Sequence, residues 1–139
     1  MKKLLLTTLA MGSMAFAYNL EDSLSIDTKV ECNVAEKGIE TVLATAKKYH
    51  KISKERGLEY RRLGVNNTDL IKAIEIRLET GDRVVKPLDF KGKKSKTILD
   101  IDFATERTCK FAINSLQNAA EGKKTWRNAV PGSETFIKN

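Results

Sequence analysis

Two cysteines and one histidine are the side chains of this sequence best suited to nucleophilic or metal chemistry. Cys32 lies in KVECNVAEKG and Cys109 in TERTCKFAIN, 77 positions apart. A thiol pair can serve as a redox couple, as metal ligands or as a bridge. A redox couple usually carries a C-x-x-C spacing or a local thiolate-stabilising charge, and neither is present. Both cysteines instead fall on apolar helical stripes, each near an alanine (Ala35, Ala112). Small neighbours let helix backbones approach to the roughly 5.5–6 Å between Cα atoms that a disulfide needs. The reading is a structural Cys32–Cys109 bridge. Closing so long a loop contributes roughly 4–5 kcal/mol in the chain-entropy account.

Metal and catalytic chemistries lack their residues. His50 is the single histidine. On a continuous helix it stands ~27 Å from Cys32 at 1.5 Å per residue, too far to share an ion. No H-E-x-x-H, E-x-x-H or C-x-x-C-H spacing occurs, and all three methionines lie within the first 14 residues. Zinc-protease, di-iron and haem readings therefore have no ligand set, and no metal or cofactor is expected. His50 reads as a partly buried, hydrogen-bonded or solvated residue at the rim of an apolar stripe, with pH sensing as the alternative. No G-x-S-x-G elbow accompanies it. KGKKSKT lacks the first glycine of a phosphate loop, and Lys94 stands where Ser or Thr should follow Gly-Lys. The pairs Glu36/Glu40 and Glu75/Glu79 share helical faces, but among lysines they read as solvated carboxylates rather than a general acid. The expectation is that this is not an enzyme.

Surface charge is the remaining chemistry. The formal net charge is +7. Tyr18 to Glu40 is acidic, whereas KKYHKISKERGLEYRR concentrates Lys47, Lys48, Lys51, Lys54, Arg61 and Arg62 around Tyr49 and Tyr60. Lys93 and Lys94 belong to a second basic run, KGKKSK, which reads as a mobile surface loop that could close over an anion. Such groups suit anionic partners: envelope lipid phosphates, acidic polymers or an acidic protein face. They equally suit a solvated face that aids solubility. Basic residues interleaved with aromatics also occur in nucleic-acid binders, but export makes nucleic acid an unexpected partner.

Export is read from the first residues. MKKLLLTTLAMGSMAFAYNL has a basic start, an apolar core from Leu4 to Ala10 and an Ala15-Phe16-Ala17 cleavage pattern. Residues 1–17 are expected to be a cleaved signal peptide, leaving 18–139 as one periplasmic or secreted domain without a transmembrane segment.

Helical periodicity supplies the frame that positions these groups. Thr28-x-x-Glu31 fits a capping box. Cys32, Ala35, Ile39, Val42, Ala46 and Tyr49 then recur at helical spacing, with a break expected at Gly57. A second helix runs from Asn66 or Asn67 to Gly81 with Leu70, Ile71, Ile74 and Leu78 inward, and the Asn66-Asn67-Thr68 sequon reads as its cap. A third runs from Thr97 to Gly122 with Ile98, Thr105, Cys109, Ala112 and Leu116 on one face. The segment between the second and third is irregular or extended. Val130-Pro131-Gly132 marks a turn, after which Phe136 and Ile137 fold back with Trp126 as a lid. The fold class is all-α, a small bundle of three to four helices with one disulfide joining the first and last long helices.

Three functions follow from this frame. The first is a non-catalytic, exported protein-binding module, such as an inhibitor, an immunity-type protein or a small chaperone, with an envelope protein as partner. The second is a binder of anionic envelope lipid or polymer. The third is a small-molecule carrier or cofactorless enzyme, with a cavity lined by Val42, Leu43, Leu116 and Trp126.

Overall fold

The computed structural model describes residues 18–62 and 64–126; the signal-peptide, Val130-Pro131-Gly132 and Phe136-Ile137 expectations lie outside them. The chain is mostly helical. After a 3-10 turn at Leu20–Ser25 come two single-turn helices, α1 (Thr28–Glu31) and α2 (Val34–Lys37), then α3 (Ile39–Glu55). A two-stranded hairpin, β1 (Arg61–Arg62) with β2 (Val65–Asn66), leads into α4 (Asn67–Thr80). Strand β3 (Val84–Val85) pairs antiparallel with β4 (Leu99–Asp100), which opens directly into α5 (Ile101–Thr125). Among the described residues no helix is long and apolar enough to cross a membrane.

The 25 residues of α5 extend ~37 Å at 1.5 Å per residue. Its inward stripe is Ile101, Ala104, Thr105, Thr108, Cys109, Ala112, Ile113 and Leu116, all buried. The N-terminal half of that stripe is built of small side chains, so other backbones come close. Cys32 and Cys109 are joined there, with 5.6 Å between Cα atoms. The fold class and the bridge are as the periodicity implied. The largest helix–helix interface is α3 on α5, and α4 lies across both.

The first helical run is interrupted where the sequence implied continuity. Cys32 is the residue that ends α1, and Asn33 caps α2, its side chain accepting from the Glu36 amide at 3.3 Å. The Val34 amide, which a continuous helix would bond to Val30, donates instead to Glu106 of α5 at 3.2 Å. Gly38 then turns the chain into α3 with φ 81° and ψ 155°, a conformation that costs little only without a Cβ. Ala35, expected on the stripe, is consequently exposed, whereas Val42 and Ala46 hold the expected phase. Asp27, not Thr28, supplies the first cap, accepting from the Lys29 amide at 2.8 Å. The expected stop holds, with α3 ending at Glu55 and Gly57 at φ 68°.

Helix α4 runs between the expected limits, with Leu70, Ile71 and Ile74 buried. Leu78, in the last turn of α4, is 38 % exposed. Ile98 is 63 % exposed, because α5 starts three residues later, where the Asp100 carboxylate accepts from the Asp102 amide at 2.9 Å. The KGKKSK segment is an exposed loop that opens in a hydrogen-bonded turn. The Asp89 carboxylate accepts from the Lys91 and Lys93 amides at 2.9 and 2.8 Å, and Leu88 bridges to Lys94.

Buried polar groups pair across the helix interfaces. Asn67 donates to the Thr108 carbonyl at 3.0 Å and accepts from the Thr108 hydroxyl, locking α4 to α5. The hydroxyls of Ser53 and Ser115 meet at 2.7 Å between α3 and α5. Gln117 donates to the Ser23 and Ile26 carbonyls at 2.8 and 2.9 Å, tying the opening turn to α5.

Replacing both cysteines by alanine is expected to lower unfolding free energy by roughly 3–5 kcal/mol, most of it through the freed unfolded chain. Urea denaturation of the oxidised wild type and the Cys32→Ala/Cys109→Ala variant measures it. Equal midpoints would show that the bridge adds no stability.

Candidate functional site

The α3 lysines line one open groove of about 610 Å³ between α3 and α4. Lys47, Lys48, Lys51 and Lys54 form one side, and Lys72 of α4 the other. Between them lie Ala44, Ile71, Thr68 and the His50 ring. Lysines at these spacings cover neighbouring turns of the helix, so their aliphatic stems line the groove while the ammonium groups reach water. Glu75 is the carboxylate of the groove, and its Oε1 is 2.6 Å from Lys47 Nζ. Lys48, Lys51 and Lys54 make no ion pair within 4.0 Å among the described residues. Lys48 Nζ lies 5.1 Å from the Tyr49 ring centre, a cation–π contact.

At the end of the groove, α3 and α4 are joined by a short polar relay. Glu59 Oε1 accepts from the Thr68 amide at 2.8 Å and from the Thr68 hydroxyl. The hydroxyl proton is committed to Glu59, so the Thr68 oxygen accepts from His50 Nε2–H at 3.0 Å. That leaves the second ring nitrogen, Nδ1, as the bare acceptor, buried and, among the described residues, without a hydrogen-bond partner. A proton arriving at Nδ1 would place a charge at a buried atom with no acceptor. Burial holds the His50 pKa below its ordinary value, outweighing the nearby Glu59 carboxylate, and Lys54 lowers it further. Burial pushes the Glu59 carboxyl up, but the two Thr68 hydrogen bonds and the positive charge of His50 and Lys54 outweigh it and leave the group below its ordinary value. His50 is 9 % exposed and hydrogen-bonded, with its ring at the edge of the groove. Of the sequon residues expected to cap α4, Asn66 stands at the N-cap without a side-chain cap hydrogen bond, Asn67 pairs with Thr108, and Thr68 is held in the relay.

The other sequence candidates sit elsewhere. Arg61 and Arg62 form β1, and Arg62 lines a cleft against α5 rather than the α3 groove. Lys93 and Lys94 are exposed in the β3–β4 connection and line neither. Cys32 and Cys109 are fully buried in their bridge. Val42, Leu43 and Leu116 belong to three different core clusters, and Trp126 is 56 % exposed, so these four do not line a common cavity. Among the described residues no three His, Cys, Asp or Glu side chains are grouped as a metal ion would require.

Sequence reasoning missed the residues that Arg62 meets. Tyr60 stacks on Phe111 with ring centres 4.4 Å apart, and the Arg107 guanidinium lies 5.0 Å from the centre of the Phe111 ring. The signal was present as a second helical phase, Phe103, Arg107, Lys110, Phe111 and Asn114, on the face of α5 turned from Cys109.

The His50 relay has a definite pH signature. The unfolded histidine takes a proton near its ordinary value of 6.5, the folded one only at lower pH. Its contribution is therefore complete above about pH 6.5 and is lost as pH falls through the folded value. Glu59 adds a second loss in the same direction at more acidic pH, below its ordinary value of 4.5. Wild-type urea midpoints should fall between pH 7 and 5, and His50→Gln should flatten that part of the profile. An unchanged slope in the variant would remove His50 as the cause.

Comparison with known proteins finds no matching family model, no similar curated protein and no similar solved structure.

Proposed function

We propose that this protein is a non-catalytic, exported binding module of the periplasm or extracellular space, whose α3–α4 groove takes an acidic segment of a protein partner. The observation that carries the reading is the groove itself: five lysines and apolar side chains around one carboxylate that is already paired. Ammonium groups above an apolar floor complement a segment that alternates carboxylates with apolar side chains. The short histidine relay at its end fastens α3 to α4, so the groove is held open before a partner arrives, and little ordering cost falls on binding. Export is supported by the signal-type opening of the sequence and by the Cys32–Cys109 bridge, which oxidising compartments favour.

Association through this groove should be electrostatically assisted and should weaken with added salt. The test immobilises the wild type and a Lys48→Glu/Lys51→Glu/Lys54→Glu variant against an exported-protein fraction, with cross-linking and mass spectrometry of what is retained. These lysines are exposed, so the variant should fold. The expected result is a partner whose acidic segment cross-links to α3 and whose retention falls roughly tenfold or more in the variant, several charge pairs each being worth about 0.2–1 kcal/mol. Equal retention by the variant would overturn the groove assignment. Retention of anionic vesicles with no protein partner would replace it with the envelope-lipid reading.

A further inference from the structure

A second cleft, sharing no lining residue with the α3 groove, lies where the β1–β2 hairpin passes over α5. Its volume is about 340 Å³, and its walls include Arg62, Phe103, Glu106, Arg107, Lys110 and Phe111. Two guanidinium groups therefore face one space. Among the described residues neither Arg62 nor Arg107 has a carboxylate within 4.0 Å. The carboxylate that does line the cleft, Glu106, is committed: Oε1 accepts from the Val34 amide at 3.2 Å and Oε2 from Lys110 at 3.3 Å.

Three other arginines, Arg56, Arg77 and Arg83, are partnered. Arg83 bridges Asp100 and Asp102, Arg77 reaches Asp82, and Arg56 donates to the Tyr18 carbonyl. Arg107 is instead half-buried, its guanidinium carbon 5.0 Å from the centre of the Phe111 ring, which also stacks against Tyr60. Burial, and after it the like charge of Arg62, lowers its pKa, which marks a cation held with a cation for a neighbour. The N–H donors of a guanidinium lie in one plane and fork onto an oxyanion, while the cation is held by the face of the ring. Phe103, 57 % exposed at the cleft wall, adds an apolar surface beside the two charges.

We propose that this cleft binds a phosphate monoester, its oxygens held by Arg62 and Arg107 and its organic group packed on Phe103. Charge matching selects the phosphate over a simple carboxylate. Two cations without acid partners balance a group carrying about −1.5 to −2 at pH 7. The phosphate could belong to a soluble ester or to a lipid headgroup, and the chemistry at the arginines is the same.

The full exported chain with its disulfide intact is titrated with inorganic phosphate, phenyl phosphate and phosphatidic-acid vesicles, following ¹H–¹⁵N signals that include the arginine Nε groups. Phenyl phosphate is expected to shift Arg62, Arg107 and the backbone of residues 103–111. Loss of one charge-assisted contact in Arg62→Gln or Arg107→Gln should weaken it by roughly tenfold or more. Arg62 is exposed and can be replaced without disturbing the core, and Arg107→Lys separates loss of the fork from loss of charge. Phe103→Ala should weaken phenyl phosphate more than inorganic phosphate. A stronger response to vesicles than to phenyl phosphate, still lost in Arg62→Gln, assigns the phosphate to a lipid. Shifts confined to the α3 lysines, binding unchanged by Arg62→Gln, or no shift with any probe would overturn the proposal.

Discussion

The covalent bond between Cys32 and Cys109 holds the opening turns of the chain against the N-terminal half of α5, and much of the remaining architecture follows from how near that brings the backbones. A 5.6 Å approach is possible only where α5 offers Thr105, Thr108 and Ala112 around the cysteine rather than leucines. The helices that reach it, α1 and α2, have one turn each, far below the length at which a helix persists alone. They exist because Asp27 and Asn33 cap them, Glu106 takes the Val34 amide, and the bridge denies the chain most alternatives.

Each pair of long helices is then registered by one buried polar contact. Ser53 with Ser115 serves α3 and α5, Asn67 with Thr108 serves α4 and α5, and His50 with Thr68 serves α3 and α4. Apolar packing alone would tolerate a slide of one turn, whereas each of these contacts leaves a buried group unsatisfied if displaced. Precise helix registry matters most beside the α3 groove, where Thr68 and Ile71 of α4 share a wall with the lysines of α3.

Periodicity made the long helices legible, because the stripe of each depends on local spacing alone. It read Val42, Ala46, Leu70, Ile74, Cys109 and Leu116 as core, and all are buried. It missed the breaks at Asn33 and Gly38 because the acceptor that replaces the helical one, Glu106, is 72 residues away from Val34. Leu78 lies in the last turn of α4 and is exposed, and Ile98 falls before α5 begins, because the helix is capped at Asp100 rather than at Thr97. The same limit governs the sites. The α3 lysines could be grouped from one helix, but Lys72 and Thr68 come from another, and Arg62 left the group because the hairpin carries it to α5. Periodicity placed His50 at the edge of its stripe but could not name its partners, because Thr68 and Glu59 lie beyond the end of its own helix.

The bridge also encloses most of the lysine-rich surface within a single covalent ring. Everything from Asn33 to Thr108 lies inside it, including α3, both hairpins and the exposed Lys91, Lys93 and Lys94 of the β3–β4 connection. A trypsin-like protease that nicks this connection therefore cannot release a fragment. The cut chain stays one molecule, with the α3 side still tethered to α5, until a reductant opens the disulfide. In a compartment that is both proteolytic and oxidising, backbone scission and loss of the protein become separate events.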